Sequence, residues 1–281
     1  MASTLAASLV TPLARGVVIG GVDPLGMLTV RLAITVVLLV TSFAVVMPRF
    51  FRVDRRGMAR LGVIGLISGV EIGCFFSALA YIDASTTAVI KSTQPLVVLL
   101  MLTAGGEALT GHRLMRVGLS MAGIYLLVGM GGSVAPMGLL FLALSLLLYS
   151  LQLVLTQWWL SDYDPRTVTL YVTTLMAIVV AVWWAARGAP WMDPGPAGWV
   201  AIGVMAVVST YFARIALYAA IARIGSGQIA LLWPLQTLSV LVLSVIFLGE
   251  RFTPIQWVGG ALVLLSAVLA RPRARIPLPG R

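Results

Sequence analysis

Apolar stretches of about 20 residues, the length that crosses the hydrocarbon core of a bilayer as a helix, follow one another along this chain almost without interruption. Dividing it at charged residues and at Gly/Pro/Asp-rich points yields ten candidate spans: 3–21, 25–47, 58–81, 85–104, 116–131, 136–157, 167–186, 197–222, 227–248 and 255–271. They use nearly all of the 281 residues, of which 60% belong to the set AVILMFWYC and 10% are charged. With the 28 glycines the apolar share reaches roughly 70%, against about 45–50% in soluble domains. A water-soluble globule is excluded. Runs such as 139–148 are continuously apolar, whereas a membrane β-barrel needs short alternating segments. The expected fold class is therefore an all-α integral membrane protein with ten transmembrane helices. Loops are too short for an extramembrane domain, and the first apolar stretch, with no basic leader or cleavage site, reads as a retained span rather than a signal peptide.

Charge then sets orientation. There are 19 basic and 9 acidic residues, and Lys91 is the only lysine. With both termini cytoplasmic, 13 of the basic residues fall on the inner side, Arg187 and Arg251 fall outside, and Arg15, Arg31, Lys91 and Arg214 fall within spans. That asymmetry obeys the positive-inside rule, so the net charge of +10 reports topology rather than nucleic-acid binding. Residues 272–281 read as a basic cytoplasmic tail suited to anionic lipid.

The halves repeat. A shift of 139 superimposes Ala80, Ile82, Ile90, Pro95, Leu96 and Leu99 on Ala219, Ile221, Ile229, Pro234, Leu235 and Leu238. Asp23-Pro24 corresponds to Asp164-Pro165, Gly106-Glu107 to Gly249-Glu250, and Val117-Gly118 to Val258-Gly259. Units 1–131 and 132–271 each hold five spans, an odd number, so the second must enter the membrane inverted. Inverted five-helix repeats suit a device that opens alternately to two sides.

The segments FFSALAYIDASTTAVIKSTQPL with GGEALTGHRLMRVG, and IALYAAIARIGSGQIALLWPLQ with LGERFTPIQWVG, resemble the EamA-type transporters of the drug/metabolite transporter superfamily. The layout is most similar to the ten-span bacterial aromatic amino-acid exporters, and Arg31 matches the arginine such proteins usually carry in the second span. The resemblance covers about 270 of the 281 residues. It implies a multi-pass protein of the bacterial inner membrane, with aromatic or other neutral amino acids as cargo.

Five ionisable groups lie within spans: Arg15, Arg31, Glu71, Lys91 and Arg214. Each costs about 2.5–3.5 kcal/mol on insertion scales and therefore faces a partner or a wet cavity. Glu71, near mid-span, is least able to reach an interface. It is either an ion-pair partner of Arg15 or Lys91 or a group that takes up a proton. Lys91 precedes Pro95 by four residues, so the missing proline N–H frees the Lys91 carbonyl, and Pro234 frees that of Ala230 in the same way. Interrupted helices at corresponding positions of two halves point to a binding site; kinks that only shape packing are the plainer alternative.

Helical spacing aligns polar residues with these breaks. Thr87, Lys91 and Gln94 share a face in the fourth span, Ser145, Tyr149, Gln152 and Thr156 in the sixth, and Tyr211, Arg214 and Tyr218 in the eighth. Ser226, Ala230, Trp233 and Thr237 do so in the ninth, and Ser8, Thr11 and Arg15 in the first. Such stripes line a polar cavity or act as hydrogen-bonding glue between helices. Mid-span Trp233 and Tyr149 suit stacking on a flat cargo or covering a cation; the other tryptophans sit near span ends, as interfacial belts do.

The expectation is a secondary transporter that exports small organic metabolites by alternating access through a cavity between the repeats. Lys91 with Arg15 or Arg214 is expected to neutralise a carboxylate. Trp233 and Tyr149 hold the side chain, and Gln94, Gln152 and Gln236 supply adaptable hydrogen bonds. The alternative cargo is a lipophilic cation or drug, for which Glu71 is the acidic candidate. His112 is the sole histidine, Cys74 has no metal-binding companion, and no phosphate-cradling glycine loop precedes a lysine. Neither an enzyme, a cofactor, a metal nor an ATP-driven pump is expected. The expected partners are a small-molecule cargo and membrane lipids, with the monomer as functional unit.

Overall fold

In the computed structural model the residues described are 17, 21–46, 53–78, 81–82, 87, 90–91, 93–107, 110–128, 135–232 and 253–269. Among them every regular element is helical: α1 Pro24–Val46, α2 Arg55–Ala78, α3 Gln94–Ala104, α4 Gly111–Val128, α5 Pro136–Leu160, α6 Pro165–Ala186, α7 Gly195–Val204, a π-helical segment Met205–Phe212, α8 Ala213–Ile224, α9 Ser226–Ala230 and α10 Pro254–Val268. Five are long and apolar enough to cross a membrane: α1, α2, α5, α6 and the continuous helix Gly195–Ile224.

The helices overrun several hydropathy boundaries. α2 begins at Arg55 rather than at 58, and α4 at Gly111 rather than at 116. Hydropathy marks where hydrocarbon begins, whereas the backbone ladder continues into the headgroup layer through residues that are good helix formers. The expected first span falls almost wholly outside the described residues, and most of the ninth does so as well.

The fourth span is two pieces. Thr93 donates both its N–H (3.1 Å) and its Oγ–H (2.7 Å) to the Ile90 carbonyl, closing a turn, and α3 starts afresh at Gln94 with Pro95 in its first turn. Proline has no intrahelical bond to lose there, so the interruption is a restart rather than a kink. In the second half α9 ends at Ala230, and Leu232 N–H turns back on the Ile229 carbonyl at 3.0 Å. Pro234 itself lies outside the described residues.

Contacts define relative directions. Leu25 and Leu28 of α1 pack with Met176 and Val180 of α6, and Leu39 and Phe43 with Leu170, so these helices run antiparallel. α4 and α10 are likewise antiparallel: Arg116 Nε donates to the Ser266 carbonyl (2.8 Å), while Gly123 lies against Gly259 and Val263. Each pair joins the second, or the fifth, span of one half with its counterpart in the other.

α2 occupies the centre, between α5 and α6. Gly65, Gly69 and Gly73 form a ladder at four-residue spacing, and a Cβ at each would meet Leu175, Val179 and Trp183 of α6 at 2.5–2.6 Å. Small residues let membrane helices approach closely where apolar burial provides no drive. Aromatic groups cluster at both ends of the bundle. Trp184 Nε–H donates to the Pro190 carbonyl (3.1 Å) and Trp199 Nε–H to Asp193 Oδ1 (2.8 Å) at one end, while Trp158 and Trp159 sit at the arginine-rich other.

Candidate functional site

Glu71 lies seven residues from the C-terminal end of α2, about 10 Å inside it. The glycine ladder turns the opposite face of α2 towards α6, leaving Glu71 to α5 and the restart before α3. Ser145 Oγ–H donates to Glu71 Oε1 at 2.9 Å, and Lys91 Nζ stands 3.9 Å from the same oxygen. No described residue donates to Oε2. The pair is loose: Glu71 is buried at 7% side-chain exposure, but Lys91 keeps 27%.

Lys91 is held by rings as well as by charge. Nζ lies 3.9 Å from the centroid of Phe75 and 5.8 Å from that of Tyr149, both within cation–π range. Phe75 is four residues after Glu71, hence on the same face of α2; that spacing was available in the sequence but Phe75 was overlooked there. Gln94 and Thr87, on the expected Lys91 face, are buried, and Gln94 Nε2 and Thr87 Oγ1 have no described partner.

Beside them, Gln152 Nε–H donates to Tyr218 OH (3.2 Å), and Arg214 reaches Tyr218 OH (3.4 Å) and Met176 Sδ (3.0 Å). Lys91, Tyr149, Gln152, Arg214 and Glu71 thus converge as the sequence suggests. Tyr211 does not join them. Its hydroxyl meets Ser42 Oγ at 3.0 Å and its ring faces Phe43. The π-helical segment spreads one turn over an extra residue, so a face drawn at 3.6-residue spacing slips between Tyr211 and Arg214. Thr210 Oγ–H bonds the Met205 carbonyl five residues back (3.2 Å), and Thr35 Oγ–H is shared between the Arg31 carbonyl of its own helix (3.0 Å) and the Ala206 carbonyl (3.1 Å). Arg15, Trp233 and Gln236 lie outside the described residues.

The arginine-rich end is closed by side chains. Gln157 Oε1 accepts from Ser226 N–H (2.6 Å) and Ser226 Oγ–H (2.8 Å), while its Nε–H donates to Glu107 Oε1 (2.6 Å). Arg113 stands 3.7 Å from Glu107 Oε2. Gly225 faces this knot at φ +80°, a conformation that favours glycine, with Gln157 Oε1 3.0 Å from where a Cβ would sit. Nearby, Tyr163 OH donates to Asp54 Oδ1 at 2.6 Å. That bond holds the Asp54 carboxyl below its ordinary value and pushes the Tyr163 phenol up.

An opposed charge pair packed among aromatic rings and amides inside the bundle, between helices interrupted at corresponding places, is the arrangement expected of a membrane transporter. The sequence profile of the EamA-like transporter family matches residues 1–129 and again 136–271. The chain belongs to that family, a membrane transporter family of the drug/metabolite transporter superfamily, and carries two copies of its domain. A solved chain described only as "Crystal structure of protein" superposes with a TM-score of 0.82, covering 95% of this chain and 93% of that chain at 17% identity, which is a likeness of fold. No curated protein matches significantly.

Proposed function

We propose that this chain is a ten-span secondary exporter of amino acids, working by alternating access through the cleft between two inverted repeats, 1–131 and 132–271. The carrying observation is the loose Glu71–Lys91 pair: opposed charges 3.9 Å apart, one still accessible, inside a membrane span. An amino acid's carboxylate displaces Glu71 at Lys91 while its ammonium takes the Glu71 oxygen that Lys91 leaves. Arg15 or Arg214 shares the carboxylate, Gln94, Gln152 and Gln236 supply hydrogen bonds, and Trp233 and Tyr149 flank the side chain. By family resemblance, aromatic and other neutral amino acids are the first cargo to test. The rings of Phe75 and Tyr149 are already spent on the protein's own ammonium group, which disfavours lipophilic cations.

The antiparallel packing of α1 on α6 and of α4 on α10 supports the inverted arrangement, because each pair consists of counterpart helices. The knot of Gln157, Ser226, Glu107 and Arg113 is the closed gate, on the cytoplasmic side of a bacterial inner membrane with both termini inside. Residues 272–281 lie on anionic lipid, and one chain suffices for the pathway.

The test is uptake of labelled phenylalanine into proteoliposomes. Lys91→Met should reduce it at least tenfold while the protein remains monodisperse. Retained transport with unchanged competition by unlabelled amino acids would sink the proposal. An imposed pH gradient separates coupling modes: accumulation requires a proton-binding group, for which Glu71 is the candidate, whereas a facilitator of a zwitterion only equilibrates it.

A further inference from the structure

Two further arginines stand beside the head site, one of them, Arg214, being the alternative to Arg15 there. Arg31, seven residues inside α1, donates its Nε–H to Thr210 Oγ1 at 2.7 Å. Arg214 stands one helical turn beyond Thr210, with only the Met176 thioether and the Tyr218 hydroxyl as described partners. Both are half-buried, and the two guanidinium groups are within electrostatic range of each other. Neither forms an ion pair with a described carboxylate, although Glu71 is within electrostatic range of Arg214. Among the described residues Glu71 is the only acid within a helix, since Asp23, Asp54, Glu107, Asp162, Asp164 and Asp193 all lie in loops. Glu71 is already engaged with Lys91 and Ser145.

A guanidinium carries five donors in a planar fork suited to two carboxylate oxygens, and a thioether is a weak acceptor. Two such forks, most of whose donors have no partner among the described residues, on facing helices inside a membrane protein, are matched by an anion rather than by a neutral side chain. With Glu71 and Lys91 offsetting one another, a zwitterionic cargo leaves both arginine charges uncompensated. A second acidic group on the cargo removes one of them.

We infer that Arg31 and Arg214 form a second anion subsite that receives an acidic group at the far end of the cargo, which makes the cargo an amino dicarboxylate rather than a neutral amino acid. The inference rests on the reading of Glu71 and Lys91 as the head site and replaces only the side-chain class. Arg31 is in addition tied to the π-helical segment through Thr210, so Arg214 is the residue to vary.

The experiment measures uptake of labelled L-glutamate, L-glutamine and L-phenylalanine by the full-length protein in proteoliposomes, reported as ratios so that the amount of active protein cancels. The wild type should favour glutamate over glutamine at least tenfold. Arg214→Gln should lower that ratio at least tenfold, and Arg214→Lys should hold it within about threefold of wild type. Equal uptake of glutamate and glutamine, or a ratio unmoved by Arg214→Gln, overturns the subsite. Uptake of phenylalanine alone overturns the subsite and leaves the head site standing; uptake of none of the three overturns both.

Discussion

Two helices bring charge into the interior of the bundle, and they are fastened by opposite means. α2 carries Glu71 on a regular helix seated against α6 by Gly65, Gly69 and Gly73, with no polar bond across that ladder. The helix Gly195–Ile224 carries Arg214 just beyond its π-helical segment and is tied to α1 by side-chain hydrogen bonds, Arg31 to Thr210 and Thr35 to the Ala206 carbonyl. Close backbone packing has no slack, because every atom in contact is already at van der Waals distance. Side-chain hydrogen bonds to a π-helical turn carry no such steric lock, and such turns recur at functional sites. Glu71 is thus the fixed element of the cleft and Arg214 the adjustable one.

The largest expected effect breaks the fixed side. Gly69→Leu drives a side chain into Val179, where even a Cβ falls at 2.5 Å. The cost should be about 3 kcal/mol or more, seen as loss of the monodisperse peak in size-exclusion chromatography; a normal profile and melting curve would show that the ladder is not tight. Next comes Glu71→Gln. It removes the negative partner of Lys91 but keeps the Ser145 bond, and uptake into proteoliposomes should fall at least tenfold with the fold intact. Unchanged uptake would leave Glu71 a mere tie between helices.

A smaller effect tests the adjustable side. Thr35→Val keeps the shape but deletes the donor to the Ala206 carbonyl, which should cost about 0.6–1 kcal/mol of thermal stability, the scale of one hydrogen bond between membrane helices. Turnover should change while the apparent affinity for cargo stays, since Thr35 reaches only the backbone carbonyls of Arg31 and Ala206 and none of the side chains that meet the cargo. A change in affinity alone would place the π-helical segment in cargo binding rather than in movement.

The smallest effect lies outside the membrane. Tyr163→Phe removes the donor to Asp54. A carboxyl held below its ordinary value contributes stability that is present above about pH 4 and is lost as pH falls through the lowered value. The phenol, raised by the same bond, keeps its contribution until the pH passes above its own shifted value. The variant should therefore melt slightly lower than wild type at pH 7, and the difference should shrink below the ordinary carboxylate range and vanish where Asp54 is protonated. A difference that persists there would show the contact to be packing rather than a charge-assisted bond.

Much of this was legible in the chain. Apolar length marked the long helices, since a segment that exposes backbone to hydrocarbon has no alternative to the helix. Pro95 marked an interruption of the fourth span, because a residue without N–H breaks the backbone ladder, while the restart at Gln94 is visible only in the structure. The faces through Lys91, Tyr149, Gln152 and Arg214 also converged as their spacing indicated. Tyr211 was misplaced, because a π-helical turn changes the period and nothing in MAVVSTYF announces it. Phe75 was passed over because an aromatic residue in an apolar run looks like any other.

The sequence alone determined that the chain enters a membrane as helices in two similar halves, and which few polar groups must find partners there. These are local properties, set by transfer free energy and by the chemistry of single residues. Only the tertiary structure decided which partner each one found: Lys91 with Glu71 and two rings, Arg31 with Thr210, Arg214 with a phenol and a thioether. Those choices depend on how closely α2 approaches α6 and on where the π-helical turn falls, and both are set by packing between segments more than 100 residues apart.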